Sequence, residues 1–210
     1  MAVVSWDKIQ KTKGGGGAGI FLKLTDGKHK VRLIGKAYEY RKHWEPIPVS
    51  CPGKSGGCPI CLADAKNEAR VRYAINILDR DDGNKLKILD AGPQIFTSFR
   101  DYFDSTQIDP GGKEGPDMII KVEVPSGDPR RKKYSVIPLN SQKLTEDEVK
   151  ILKEKGLHDL DKIFGPKTSQ EITELLKSGG SSKEPDKSES SESSESKGQS
   201  SGTDNQEFKW

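Results

Sequence analysis

The chain has 210 residues, 31% hydrophobic and 32% charged, with a formal net charge of +3. That length suits one domain with an embedded subdomain and a tail, and no apolar run approaches the roughly 18 residues of a membrane helix. The N-terminus lacks the apolar core of a signal sequence, and three cysteines do not make a secreted disulfide scaffold, so a soluble, intracellular (cytoplasmic) protein with no membrane contact is expected.

Residues 1–19 read as a flexible basic arm, because Lys8, Lys11 and Lys13 precede a glycine run unable to hold regular structure. Such an arm is either a solvated leader or a tether to nucleic acid or to a neighbouring subunit. A core over residues 20–177 follows. Phe21 to Arg41 reads as strand, with Val31 and Leu33 on one side and Lys30, Arg32, Ile34 and Lys36 on the other. Residues 62–69 are expected to make two helical turns. Val71, Tyr73, Ile75 and Ile77 alternate into a hairpin that turns at Asp82-Gly83-Asn84 and returns over residues 85–90. Pro93 opens a helix through Phe103, whose Ile95, Phe96, Phe99, Tyr102 and Phe103 recur at helical spacing and read as packing. Residues 117–124 and 134–139 are further strands. Thr145 and Glu148 form a capping box, with Leu144 placed to staple Val149 and Gly156 as the stop. A last helix starts near Thr168 or Ser169, points Ile172, Leu175 and Leu176 inward and ends at Gly179. These elements predict a mainly β fold with added helices, built as a small, partly open five-stranded barrel.

Residues 178–210 are low-complexity and expected to be disordered, with Phe208 and Trp210 their only large apolar side chains. They carry seven acidic residues against four lysines, which leaves residues 1–177 at about +6. An acidic tail of this length reaches a basic groove easily and is expected to compete with an anionic ligand there, unless it only solubilises.

The chemistry concentrates between residues 43 and 61. His43, Cys51, Cys58 and Cys61 lie within nineteen residues, at separations of seven, six and two. Cys58-Pro59-Ile60-Cys61 is a knuckle that presents two thiolates to one cation, and His43 and Cys51 complete a tetrahedral zinc set. The intervening prolines and glycines leave too little apolar area to fold alone, so the metal would supply the folding energy. Three other readings compete. A redox Cys-x-x-Cys pair normally opens a helix in a βαβ setting, and a disulfide would leave one spare thiol. His43-Trp44-Glu45 with Pro59 and the cysteines echoes the zinc deaminases, but those motifs need two helix starts and an open metal position that Cys51 would close.

Basic residues are interleaved with aromatics around this stretch. Tyr38, Tyr40, Arg41, Lys42 and Trp44 lead into it, and Arg70, Arg72 and Tyr73 lie just past it. Arg130, Arg131, Lys132, Lys133 and Tyr134 form the densest basic cluster. Rings beside cations suit a single strand, since every base has a π-face and every linkage an anion. Tyr38, Tyr40, Trp44 and Tyr73 are the candidates for stacking, and Arg41, Lys42, Arg72 and Arg130 to Lys133 those for phosphate.

In ligand order, in the closing Cys-x-x-Cys, and in the sequence of basic arm, metal-bearing core and acidic Ser-rich tail, the chain resembles the zinc-containing single-stranded DNA-binding (helix-destabilising) proteins of T-even-type bacteriophages. The resemblance implies an OB-fold with a zinc-binding subdomain inserted at about residues 40–68 and single-stranded DNA in the cleft between them. It implies cooperative self-association through the arm, where Lys11-Thr12-Lys13 partly matches a basic-plus-hydroxyl motif. It further implies recruitment of replication and recombination proteins by the tail, and no catalysis. The alternative is a zinc-stabilised RNA-binding or protein-interaction regulator.

Overall fold

The sheet is organised around one long strand, β1 (Gly27–His43), in a computed structural model that describes residues 19–64, 66–125, 128 and 131–178. The basic arm, the acidic tail and Arg130 therefore lie outside the described residues, and so do the expectations attached to them. Strand β1 pairs antiparallel with the two-residue β2 (Val49–Ser50), with β3 (Arg70–Asp79) and with β5 (Pro116–Glu123). Strand β4 (Lys85–Ala91) lies outside β3, and β6 (Lys133–Ser141) outside β5. The result is an open antiparallel sheet in the order β4-β3-β1-β5-β6, with β2 off this path. The β3–β4 turn uses Gly83 and Asn84 with positive φ, as the Asp-Gly-Asn signal predicts.

Strand β1 starts later than its sequence suggests. Residues 20–22 instead run parallel along the edge of β4, where Ile88 donates to the Ile20 carbonyl at 2.7 Å and Leu22 to the Ile88 carbonyl at 2.9 Å. Past a turn ending at Gly27, Val31, Arg32, Leu33 and Ile34 are all buried, so both faces of β1 are covered. One face meets α2 (Pro93–Thr106), where Ile95, Phe96 and Phe99 pack with Val31, Leu33, Ile75, Ile77, Leu89, Met118 and Ile120. Phe103, expected on the packed stripe, is 40% exposed.

The other face is covered by α3 (Glu146–Lys155) and α4 (Leu160–Phe164). Leu144 and Leu152 pack on Ile34 and Leu78, and Phe164 packs on Tyr40. The capping box of α3 forms in both directions between Thr145 and Glu148. Helix α4, one turn capped by Asp159, has no counterpart among the sequence-predicted elements. The Nη1 and Nη2 groups of Arg32 donate to the carbonyls of Gly112, Lys113 and Gln142 at 2.9–3.1 Å, while its buried Nε has no partner. Among the described residues no helix is long and apolar enough to cross a membrane.

Candidate metal centre and nucleic-acid interface

The end of β1 projects His43 into a loop closed by α1 (Pro59–Ala63), and the cluster forms between them. His43 Nε2 lies 3.2 Å from Cys61 Sγ and 3.5 Å from Cys58 Sγ, and the Cys51 and Cys61 sulfurs are 3.5 Å apart. All four ligand atoms fall within 4.8 Å of one another and all four residues are buried. A tetrahedral ion with bonds of about 2.3 Å to sulfur and 2.0–2.1 Å to nitrogen spaces its ligands roughly 3.5–3.8 Å apart, so this cluster could hold a metal ion. The cysteines are free, and 3.5 Å is far from the roughly 2.05 Å of a disulfide.

Local backbone explains the convergence. Gly53, at φ +83°, turns its N–H onto Cys51 Sγ at 3.2 Å, and Cys58 N–H bonds back to the Gly53 carbonyl at 3.1 Å. Burial, ahead of the neighbouring thiols, pushes the Cys51 thiol up to about 12 and outweighs the Gly53 N–H, so a thiolate there calls for a cation. His43 Nδ1 is buried with no hydrogen-bond partner, which leaves Nε2 as the ring atom turned to the sulfurs. Helix α1 stops after one turn rather than running to residue 69. Asp64 is extended and takes the Lys66 N–H on its own side chain at 2.8 Å, a local bond that competes with helix.

A neighbour distant in sequence completes this module. Helix α5 (Ser169–Lys177) starts from a Thr168–Glu171 capping box and buries Ile172 against Ile47, Val49, Ile60 and the cysteines. Ser169 Oγ donates to the Gly57 carbonyl at 2.9 Å, and Leu175 and Leu176 pack on the same cluster. Amphipathic spacing announced α5; only the fold shows what it covers.

The ring-and-cation residues divide. Trp44, 48% exposed, follows His43 directly, with Lys42 Nζ 4.5 Å and Arg72 Cζ 5.4 Å from its ring centroid. Burial lowers the Lys42 pKa. Arg72 is braced by Asp90, at 2.8 Å from Nη2. Tyr40 donates to the same carboxylate at 2.7 Å and lies 4.7 Å from Phe164, so its buried ring has no open face for a base. Tyr38 donates to Asp161 at 2.7 Å, and that bond raises its pKa. Tyr73 lies on the opposite face of β3, 5.2 Å from Phe96, and the nearby Glu39 carboxylate raises its pKa. Arg41 is exposed beside them.

Arg131, Lys132, Lys133 and Tyr134 are not brought to Trp44. They sit where Lys133 pairs Glu123 and Gly27 pairs Val122, at the far end of β1. Seventeen residues separate the ends of that strand, about 50 Å if it were straight. Arg131 is exposed with Asp128 at 3.6 Å, Lys132 Nζ donates to the Leu24 carbonyl at 2.8 Å, and Tyr134 packs on the sheet core. Compared with protein-family models, curated proteins and solved structures, the chain matches none.

Proposed function

We propose that the protein binds and coats single-stranded DNA, as in replication, recombination and repair, and that one structural zinc ion holds its binding edge. The observation that carries this is Trp44: an exposed indole, backed by two cations and joined to the first ligand of a buried His/Cys3 cluster. The cations fix the ring and stand where the phosphates flanking a stacked base need them. Three thiolates and one imidazole favour zinc, and four protein ligands leave a tetrahedral ion no position for reactive water, which supports binding rather than catalysis. Zinc there would neutralise the thiolates and order the loop between His43 and Cys61.

The sheet supports an OB-type reading. Its order is β4-β3-β1-β5-β6, with α2 between β4 and β5. In an OB-fold the loop after the first strand and the loop between the last two flank the oligonucleotide. Here those are the ligand loop and the turn carrying Arg131 and Lys132. Binding to single-stranded DNA, duplex DNA and RNA of matched length, measured across salt with zinc content alongside, tests the proposal. Single-stranded DNA should bind tightest, and Trp44→Ala should cost about 1–3 kcal/mol on it. Equal affinity for duplex and single strand would sink the stacking reading, and a preference for RNA would point to an RNA-binding regulator.

A further inference from the structure

The face of β1 and β3 opposite Lys42 and Arg72 carries a cleft of about 440 Å³, within the roughly 300–1,000 Å³ usual for small-ligand sites. Tyr73 and Ile75 of β3 and Phe96, Phe99 and Phe103 of α2 line it, and the exposed Lys36 and Arg100 stand at its mouth. A backbone irregularity makes the space. The β1–β3 ladder shifts register between Ile34 and Tyr38, where Gly35 takes φ +75° and donates to the Gly111 carbonyl at 2.8 Å. Any side chain at Gly111 would strike the Gly35 carbonyl, so the 109–111 loop presses on the bulge and walls off one end. The Asp109 carboxylate, on the same wall, accepts the Gly111 N–H at 2.9 Å. Arg100 pairs with Asp104 at 3.4 Å, an exposed pair of the kind worth little.

The geometry points to a second nucleobase site: an unstacked base lies against Phe103 and the Tyr73–Phe96 pair, and its flanking phosphates meet Lys36 and Arg100. This rests on the single-strand reading and deepens it. Three aromatic rings beside two available cations form the pairing that a single strand recognises, and apolar walls accept any base. It also explains why α2 leaves Phe103 40% exposed while burying Phe96 and Phe99. Tyr73 adjoins Arg72 in β3 on the opposite face, and Lys36 is six strand residues, about 20 Å, from Lys42, so one strand would have to wrap around the β1–β3 ribbon to reach both sites.

The test uses the full chain with two probes of equal length, an oligothymidylate and an abasic oligodeoxynucleotide. Phe103→Ala should weaken oligothymidylate binding about fivefold to a hundredfold and leave the abasic probe unchanged, while Phe103→Tyr retains wild-type affinity. Arg100→Gln should weaken both probes alike and flatten the salt slope by about 0.7. An unaltered thermal midpoint for Phe103→Ala separates a lost contact from a lost fold. Wild-type affinity of Phe103→Ala for oligothymidylate would overturn the site while leaving the single-strand reading standing. Equal losses on both probes would make Phe103 a structural residue and also overturn it. If the wild-type chain binds neither probe, both readings fall.

Discussion

Val31, Leu33, Ile77, Leu89, Met118 and Ile120 are fully buried within one contiguous cluster between the sheet and α2. The loop from His43 to Cys61 buries only Ile47, Val49 and Ile60 besides its four ligands, and borrows Ile172 from α5. The first region has ladder hydrogen bonds and ample apolar area; the second is mostly turns held by four polarisable side chains. The sheet is thus folded by burial, and the loop, under the proposed zinc site, would be folded by chelation. Each should fail under a different stress, although β1 runs through both.

Removing the metal tests that separation with the largest effect. Structural zinc in small modules contributes about 10–16 kcal/mol of apparent binding energy at neutral pH. Chelation, or Cys58→Ser, should strip about one zinc per chain and abolish amide protection over 44–63 and 169–177, while β3, β4 and β5 keep theirs. Uniform loss of protection would show one cooperative unit, and stoichiometric absence of zinc from a folded, DNA-binding protein would remove the metal altogether. A matched pair sharpens the contrast. Ile77 and Ile172 are both 0% exposed, one in the sheet and one on the ligand loop. Ile77→Ala should cost about 2–5 kcal/mol in urea titration at unchanged zinc content. Ile172→Ala should instead speed zinc release to a chelator and leave the main unfolding transition nearly in place.

The smallest effect lies in the β3–β4 turn. Hydrogen bonds from Lys87 and Lys85 hold the Asp82 carboxyl down at about 2, below its usual 3.8. A carboxylate depressed by folding adds stability that is fully present above pH 4 and is lost as pH falls through 2. Carboxyl NMR titration should show that low midpoint, and Asp82→Asn should remove this part of the acid dependence without touching the metal.

What the sequence revealed depended on how local each signal was. The ligand set was legible because all three cysteines and one histidine fall in nineteen residues, and the hairpin because Asp82-Gly83-Asn84 sits between alternating runs. The capping box of α3 was legible for the same reason, whereas that of α5 went unread although its start near Thr168 was placed. Arg32 and Ile34 read as an outer face because nothing nearby announces that α3 will cover them. Tyr40 read as a stacking ring because Phe164, 124 positions away, is what buries it. Residues 20–22 carry ordinary strand character, and only the edge of β4 decides that they pair in parallel there.

The carbonyl cradle around Arg32 sets a timetable for the nascent chain. Its guanidinium belongs to the first long strand, but its acceptors lie 80, 81 and 110 residues further on. At synthesis rates of about 5–20 residues per second, the last acceptor reaches the ribosome's active centre roughly 5–20 s after Arg32 has been added. Until then the charge cannot enter its buried place without leaving its Nη donors unpaired as well as Nε, so β1 stays hydrated on that face while β3 and β4 emerge. The hairpin can therefore form early, and the closing of loop 112–113 and residue 142 over Arg32 marks the moment at which the sheet is committed.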